Sequence, residues 1–333
     1  MQAGYSYAQI GRNVALIAAS VAFSLVLCEI ILRVFNAYPP PPHPLVPSRP
    51  DLYQADDRVG YRLWPSMTTC LRYPADSPEI LPIVSNTNGF RNLREYGESD
   101  TRRRILVIGD SFVFGLGVRE RERVTEVIES IEPSWRVDNL GMTGWGIDLM
   151  IRALEHLGRK ARPDIVVLAV YTDDFRRLLP DFAGVGYEIP KYALRGGQLV
   201  SVPYPSARGW RRLRLVRFAH QFYWNQIADR NRYDLNEALL DRFVDIARDI
   251  GSQPVAVFLP GMADTDEDKA RRRFLRDWGN GRRVPYLDLT DAIHGRGGEK
   301  LFIDRNWHWN AAGHRVAAEE IYGFLHVKVI PAR

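Results

Sequence analysis

Five short, mainly apolar runs at 105–108, 135–140, 164–171, 255–259 and 286–289 alternate with stretches of helical periodicity at 122–131, 147–157, 236–250, 266–278 and 311–324. Runs of that length, bounded by turn residues, read as buried strands, and the intervening stretches read as helices with one apolar face. Parallel strands must be joined by crossovers of a dozen residues or more. Strict alternation therefore predicts right-handed βαβ units, an α/β class and a five-stranded parallel sheet covered by helices on both faces. In such sheets ligands gather just past the carboxyl ends of the strands. With 46% hydrophobic and 26% charged residues in a chain of 333, the composition is that of a globular protein, which excludes a disordered or fibrous one.

One segment stands outside that alternation. Residues 14–35 read VALIAASVAFSLVLCEIILRVF, with Glu29 and Arg33 the charged residues. A helix of this length spans about 33 Å, enough for a hydrocarbon core of about 30 Å. Glu29 and Arg33 lie four apart, on one helix face, where they pair near one end. No A-x-A cleavage pattern follows the run, Leu27 precedes Cys28 where a lipoprotein needs a small residue, and no polar face marks a soluble helix. The expectation is an uncleaved single-pass anchor in the inner (cell) membrane. A tail at 1–13 stays inside and the body is exported, although Arg12 and Arg33 nearly balance the charge rule. A mean hydropathy of −0.25 excludes a polytopic membrane protein. The Pro-rich stretch that follows reads as an extended spacer. It opens an N-terminal extension at 36–100, expected to be irregular, ahead of the α/β domain at 101–333.

The strand ends carry the chemistry. Residues 105–108 run into Gly109-Asp110-Ser111-Phe112, a sharp turn that aims a serine hydroxyl outward; such a serine is either a helix cap or a nucleophile. The second strand ends in Asn139-Leu140-Gly141-Met142-Thr143-Gly144-Trp145-Gly146, whose glycines let backbone approach a ligand. Tyr171-Thr172-Asp173-Asp174-Phe175 follows the third. Near the C-terminus, Asp304 precedes His308 in a segment leading to the last helix, a pattern that suits an orienting acid beside a general base.

Together, GDSF at 109–112, NLGMTGWG at 139–146, YTDDF at 171–175 and the D…HWNAAGH segment at 304–314 resemble the SGNH (GDSL-type) hydrolase family. The apolar anchor, GYRLWP and NTNGFRN are similar to the N-terminal part of its membrane-anchored bacterial members. The resemblance spans roughly 105–325. It implies a flavodoxin-like three-layer α/β/α fold and ester hydrolysis or acyl transfer, with Ser111 as nucleophile, His308 as general base and Asp304 as the orienting acid. It also implies an oxyanion hole built from the N–H groups of Ser111 and Gly144 and from the position of Asp173. At that last position the family has an asparagine, whose amide donates; an ionised aspartate does not, unless Thr172 or a water substitutes for it. The family's acid stands three residues before its histidine, whereas Asp304 stands four before His308.

Other polar groups read as structural. His314 is expected to pack or cap, Asp110 to cap backbone N–H groups, and Asp173 with Asp174 lacks a third carboxylate for a cation. Two cysteines, Cys28 and Cys70, form neither a disulfide framework nor a metal cluster, so no metal or cofactor is expected. A long insertion at 172–235 ends in ARGWRRLRLVR, whose Arg208, Arg211, Arg212, Arg214 and Arg217 read as a solvated face or a contact for lipid head groups or an anionic glycan. A net charge of +5 with no recognition motif does not support nucleic-acid binding. The expected function is a membrane-anchored serine esterase acting on an acylated small molecule or polysaccharide, with O-acetyl esters foremost. Two alternatives are an O-acyltransferase using the same serine and a non-catalytic glycan-binding scaffold.

Overall fold

The computed structural model describes residues 7–37, 51–178, 189–204, 210, 213–226, 232–304 and 306–330. Most of the Pro-rich spacer, and Arg208, Arg211 and Arg212 of the basic run, lie outside them.

Helix α1 (Tyr7–Val34) comes first. Within it Gln9–Val34 is long and apolar enough to cross a membrane, and its most apolar part is not buried by the rest of the chain. Four short strands follow, β1 (Tyr53–Asp56), β2 (Gly60–Leu63), β3 (Thr68–Arg72) and β4 (Ile80–Val84), pairing as two antiparallel hairpins. The extension is thus more ordered than its sequence suggested. Its strands are four or five residues long, and β4 contains Pro82, which weakens any strand signal. Leu52, Tyr53, Tyr61, Leu63 and Phe90 from this region are buried in the same core as the sheet.

The central sheet contains β5 (Arg103–Gly109), β6 (Trp135–Gly141), β7 (Ile165–Tyr171), β10 (Gln253–Leu259) and β11 (Tyr286–Asp288). All pairs are parallel and the spatial order is β11-β10-β7-β5-β6. In chain order this is 2-1-3-4-5 read from the β6 edge, and the switch point, where ligands bind in such sheets, lies at the end of β5 between β6 and β7. Alternation along β5 builds both faces: Leu106 and Ile108 enter one core, Ile105 and Val107 the other. Helices α4 (Ile147–Ala161), α6 (Tyr233–Asp249) and α7 (Asp266–Arg282) contribute to the first core. The second takes α3 (Val124–Ile131), α8 (Thr290–Arg296) and α9 (Ala311–Phe324). The result is the expected three-layer sandwich. Within the insertion, β8 (Ile189–Arg195) and β9 (Gln198–Tyr204) form a further hairpin, and α5 (Arg214–Gln226) packs against α1.

Candidate active site

At the end of β5 the chain turns directly into a four-residue helix, α2 (Ser111–Phe114). Gly109 permits the turn, because a Cβ there would stand 2.4 Å from Val113 Cγ2 and 2.9 Å from the Ala169 carbonyl. Asp110 caps the helix, its Oδ1 accepting from the Phe112 N–H at 2.9 Å. Ser111 is therefore the first helical residue, and its own N–H has no intrahelical acceptor.

His308 arrives from the far end of the chain. The loop before α9 is closed by a bridge between Phe302 and Trp309 and by the Ile303 N–H donating to the His308 carbonyl at 2.8 Å. Asn310 then caps α9, accepting from the Gly313 N–H at 3.1 Å. This path brings His308 Nε2 to 2.8 Å from Ser111 Oγ. Both side chains lie under a thin cover, Ser111 at 4% and His308 at 6% exposure. On the other side of the ring, Nδ1 lies 2.9 Å from Asn306 Oδ1 and 2.8 Å from the Tyr73 hydroxyl. A carboxamide oxygen only accepts, so it selects the tautomer with hydrogen on Nδ1 and leaves the Nε2 lone pair facing the serine hydroxyl. Burial, with the charge of Arg177 behind it, lowers the His308 pKa to about 3, so the ring is neutral and ready to take a proton at pH 7. Phe112 stacks on the imidazole at 5.2 Å between centroids, and Tyr73 meets it edge-on at 5.3 Å.

Asp304 does not occupy the expected position. It is exposed, and the hydrogen bonds of His308 Nδ1 run to Asn306 and Tyr73 instead. The reason is the tightness of the turn: the Asn306 N–H donates to the Ile303 carbonyl and the His308 N–H donates to Asn306 Oδ1 at 3.0 Å, folding the residue two positions back, rather than four, onto the ring. Asp173 also departs from the oxyanion reading. Its carboxylate is ion-paired with Arg176 at 2.9 Å and Arg271 at 3.6 Å, and it can only accept. Thr172 is no substitute, since its hydroxyl donates to Asp268.

The Gly144 N–H has no hydrogen-bond partner among the described residues. Gly144 has φ +75°, a conformation that favours glycine. The preceding carbonyl, of Thr143, accepts from the Tyr61 hydroxyl at 2.7 Å, and Thr143 Oγ1 contacts the Tyr53 hydroxyl at 2.8 Å. In a trans peptide C=O and N–H point opposite ways. Two tyrosines of the N-terminal hairpin thus hold the peptide with its N–H directed away from them.

Beneath the serine lies a buried ion cluster that the sequence did not announce. Arg177 Nη1 donates to Asp110 Oδ2 at 2.7 Å, to Asp174 Oδ1 and to the Trp145 carbonyl at 2.9 Å. It thereby ties the cap of α2, the segment after β7 and the Gly144 loop into one unit. Burial opposes the guanidinium's charge, but Asp174 and Asp110 outweigh it and raise its pKa. Two carboxylates share this cation, and burial followed by the charge of Asp110 pushes the Asp174 carboxyl well up. Asp110 is thus a cap, as read from sequence, and a partner of Arg177. His314 is 1% exposed and packs edge-on against Trp309 at 5.8 Å. Of the groups that the sequence reading missed, Asn306 stands two residues before His308, nearer than the family's three-residue spacing, which falls on Arg305. Tyr73 had no local signal.

A family model described as the GDSL-like Lipase/Acylhydrolase family matches residues 107–316. No curated protein matches. Similar solved structures include the psychrotrophic esterase EstA from Pseudoalteromonas sp., at 11% identity over 67% of this chain and 97% of that one, with a TM-score of 0.42. A carbohydrate acetylesterase family member from Sinorhizobium meliloti aligns at 13% identity over 67% and 97%, with a TM-score of 0.42. The acetyl xylan esterase AlAXEase aligns at 14% over 66% and 98%, with a TM-score of 0.43.

Proposed function

The chain belongs to the GDSL-like lipase/acylhydrolase family, and from that premise we propose that this carboxylic ester hydrolase is a membrane-anchored serine enzyme cleaving small acyl esters, O-acetyl groups on a polysaccharide foremost, with Ser111 as nucleophile and His308 as base. The observation that carries the reading is the 2.8 Å contact between Ser111 Oγ and His308 Nε2. That distance is within proton-transfer reach, and the imidazole is in the accepting tautomer.

In this mechanism Ser111 Oγ attacks the acyl carbon as its proton passes to His308 Nε2. The carbonyl oxygen becomes an oxyanion facing the N–H groups of Ser111 and Gly144. Collapse of the tetrahedral intermediate expels the alcohol, which leaves with the proton from Nε2, and the acyl group remains on Ser111. Water then attacks the acyl-enzyme, giving its proton to Nε2, and the second collapse returns that proton to Ser111 and releases the acid. At each imidazolium stage Nδ1–H is held by the neutral oxygens of Asn306 and Tyr73. The mechanism therefore runs on a serine–histidine pair with uncharged orienting groups.

Two features support the rest of the reading. Trp307, 60% exposed and 5.9 Å from His308 between ring centroids, offers a flat apolar surface beside the base, which suits the face of a sugar ring. The apolar stretch of α1 supports a single-pass anchor. The test is turnover of 4-nitrophenyl acetate by the full chain in detergent, compared with Ser111→Ala. The reading expects hydrolysis by the parent and none above background in the variant; equal rates in the two would refute it.

A further inference from the structure

The basic, aromatic segment that the catalytic reading leaves without a role meets the anchor helix at a defined place. Both Glu29 oxygens accept backbone N–H groups from the first turn of α5: Arg214 to Oε1 at 3.1 Å and Leu215 to Oε2 at 2.8 Å. In return the Arg214 guanidinium donates to the carbonyls of Leu32 and Ala37, at 3.1 and 3.0 Å, and to Asn36 Oδ1 at 3.0 Å. Each helix end caps the other. A carboxylate sits on the positive end of α5, and a cation satisfies the exposed carbonyls that end α1.

The place of this junction along α1 sets its depth. In the expected span of 14–35, about 33 Å long, Glu29 stands about 9 Å before the exit end, within the roughly 5–10 Å below the head groups where interfacial helices bury their apolar faces. If α1 spans the bilayer, Glu29 lies at that depth, and α5 begins at that level. Its side chains fit such a level. Phe218, Phe222 and Tyr223 are 39%, 52% and 46% exposed, and Trp210 just ahead of α5 is 64% exposed. The same segment carries Arg208, Arg211, Arg212, Arg214 and Arg217. Aromatic side chains with interspersed arginines are the composition of helices that lie in the interface of an anionic membrane.

We propose that α5 is a membrane-interface helix, docked on the exit end of α1 by the Glu29–Arg214 junction, whose aromatic side chains enter the anionic lipid surface of the bilayer that α1 spans. This rests on the spanning role of α1 given above. In consequence the body is attached to the membrane at two points along the chain, through the spacer after α1 and through α5.

The experiment uses the full chain in vesicles of phosphatidylcholine and phosphatidylglycerol, with Cys28→Ser and Cys70→Ser as background because both native thiols are exposed. Spin labels are attached through Phe222→Cys, through Ile17→Cys in mid-helix, and through Asp291→Cys on the exposed surface of the body. Collision with oxygen and with a water-soluble nickel chelate is then compared. The proposal expects an oxygen-to-nickel ratio at 222 several-fold above that at 291, and its loss when Glu29→Ala removes the acceptor for the α5 N–H groups. A ratio at 222 equal to that at 291, while 17 reads as lipid, overturns the docking and leaves the anchor standing. A water-like reading at 17 overturns the anchor and the proposal with it. Insensitivity of the label at 222 to Glu29→Ala overturns the role of the junction. Unchanged hydrolysis of 4-nitrophenyl acetate reports an intact body in every variant.

Discussion

His308 Nδ1 rests 2.9 Å from Asn306 Oδ1, an acceptor without charge where a carboxylate would stabilise the imidazolium. The expected consequence of Asn306→Asp follows from sign. A negative charge beside the ring favours its protonated form, so the His308 pKa rises from about 3 by about 1–3 units. The acid limb of the kcat/KM profile for 4-nitrophenyl acetate should move to higher pH by a like amount. An unmoved limb would mean that the base responsible is not His308.

Tyr73 supplies the second contact at Nδ1, 2.8 Å away and 235 positions earlier in the chain. Burial raises the phenol above its ordinary pKa, so it stays protonated through the neutral range. Tyr73→Phe removes one neutral hydrogen bond, worth about 1 kcal/mol. The expected loss is about three- to tenfold in kcat with KM nearly constant, since the bond orients the base and does not touch the substrate. Steady-state kinetics on 4-nitrophenyl acetate check it, and an unchanged kcat would remove Tyr73 from the positioning set.

Arg177 joins Asp110, Asp174 and the Trp145 carbonyl in one buried cluster. Arg177→Met keeps much of the volume but leaves the two carboxylates without this cation. Breaking a buried pair in this way costs about 3–5 kcal/mol. Urea denaturation should show the unfolding free energy lowered by that amount, and activity should fall as well, because the cap of α2 and the Gly144 loop lose their common tie.

Two buried histidines predict how stability follows pH. His308 and His314 are both lowered to about 3, burial being the first cause in each and neighbouring cations adding to it. Between about pH 6.5 and 3 the unfolded chain therefore binds protons that the folded chain does not. Stability from these groups is present above pH 6.5 and is lost as pH falls, by up to about 1.4 kcal/mol per unit for each. In His314→Gln the dependence of unfolding free energy on pH between 4 and 6 should be shallower by about one group's share, measured by urea titrations across that range.

The sheet was legible because its central strands are largely buried on both faces. A strand such as Ile165–Tyr171 must then be apolar throughout, and such a run stands out without any knowledge of its neighbours. Turn chemistry marked Ser111 and His308 as sitting where an element begins or ends, but it left the serine as either a cap or a nucleophile, and the roles proposed for both came from the family resemblance of four separated blocks. The small hairpins were not legible, since strands of four or five residues that pair with each other show too little pattern to separate from irregular chain. Asp304 was chosen on residue type, yet a tight Asx turn folded Asn306 onto the ring instead. Asp173 was read by its position in a motif, while its carboxylate pairs with Arg176 and with Arg271 of α7, almost a hundred residues on.

Periodicity and turn residues along the chain thus establish the order of strands and helices, the α/β sandwich and the serine at the end of the first central strand. They act over a few residues, and those features are built over a few residues. Which group holds Nδ1, which cation neutralises Asp110 and Asp174, and which tyrosine grips the Thr143 carbonyl all depend on segments far apart in sequence arriving at one place. Such meetings follow from how layers pack and loops bend in three dimensions, and spacing along one strand of chain does not encode them.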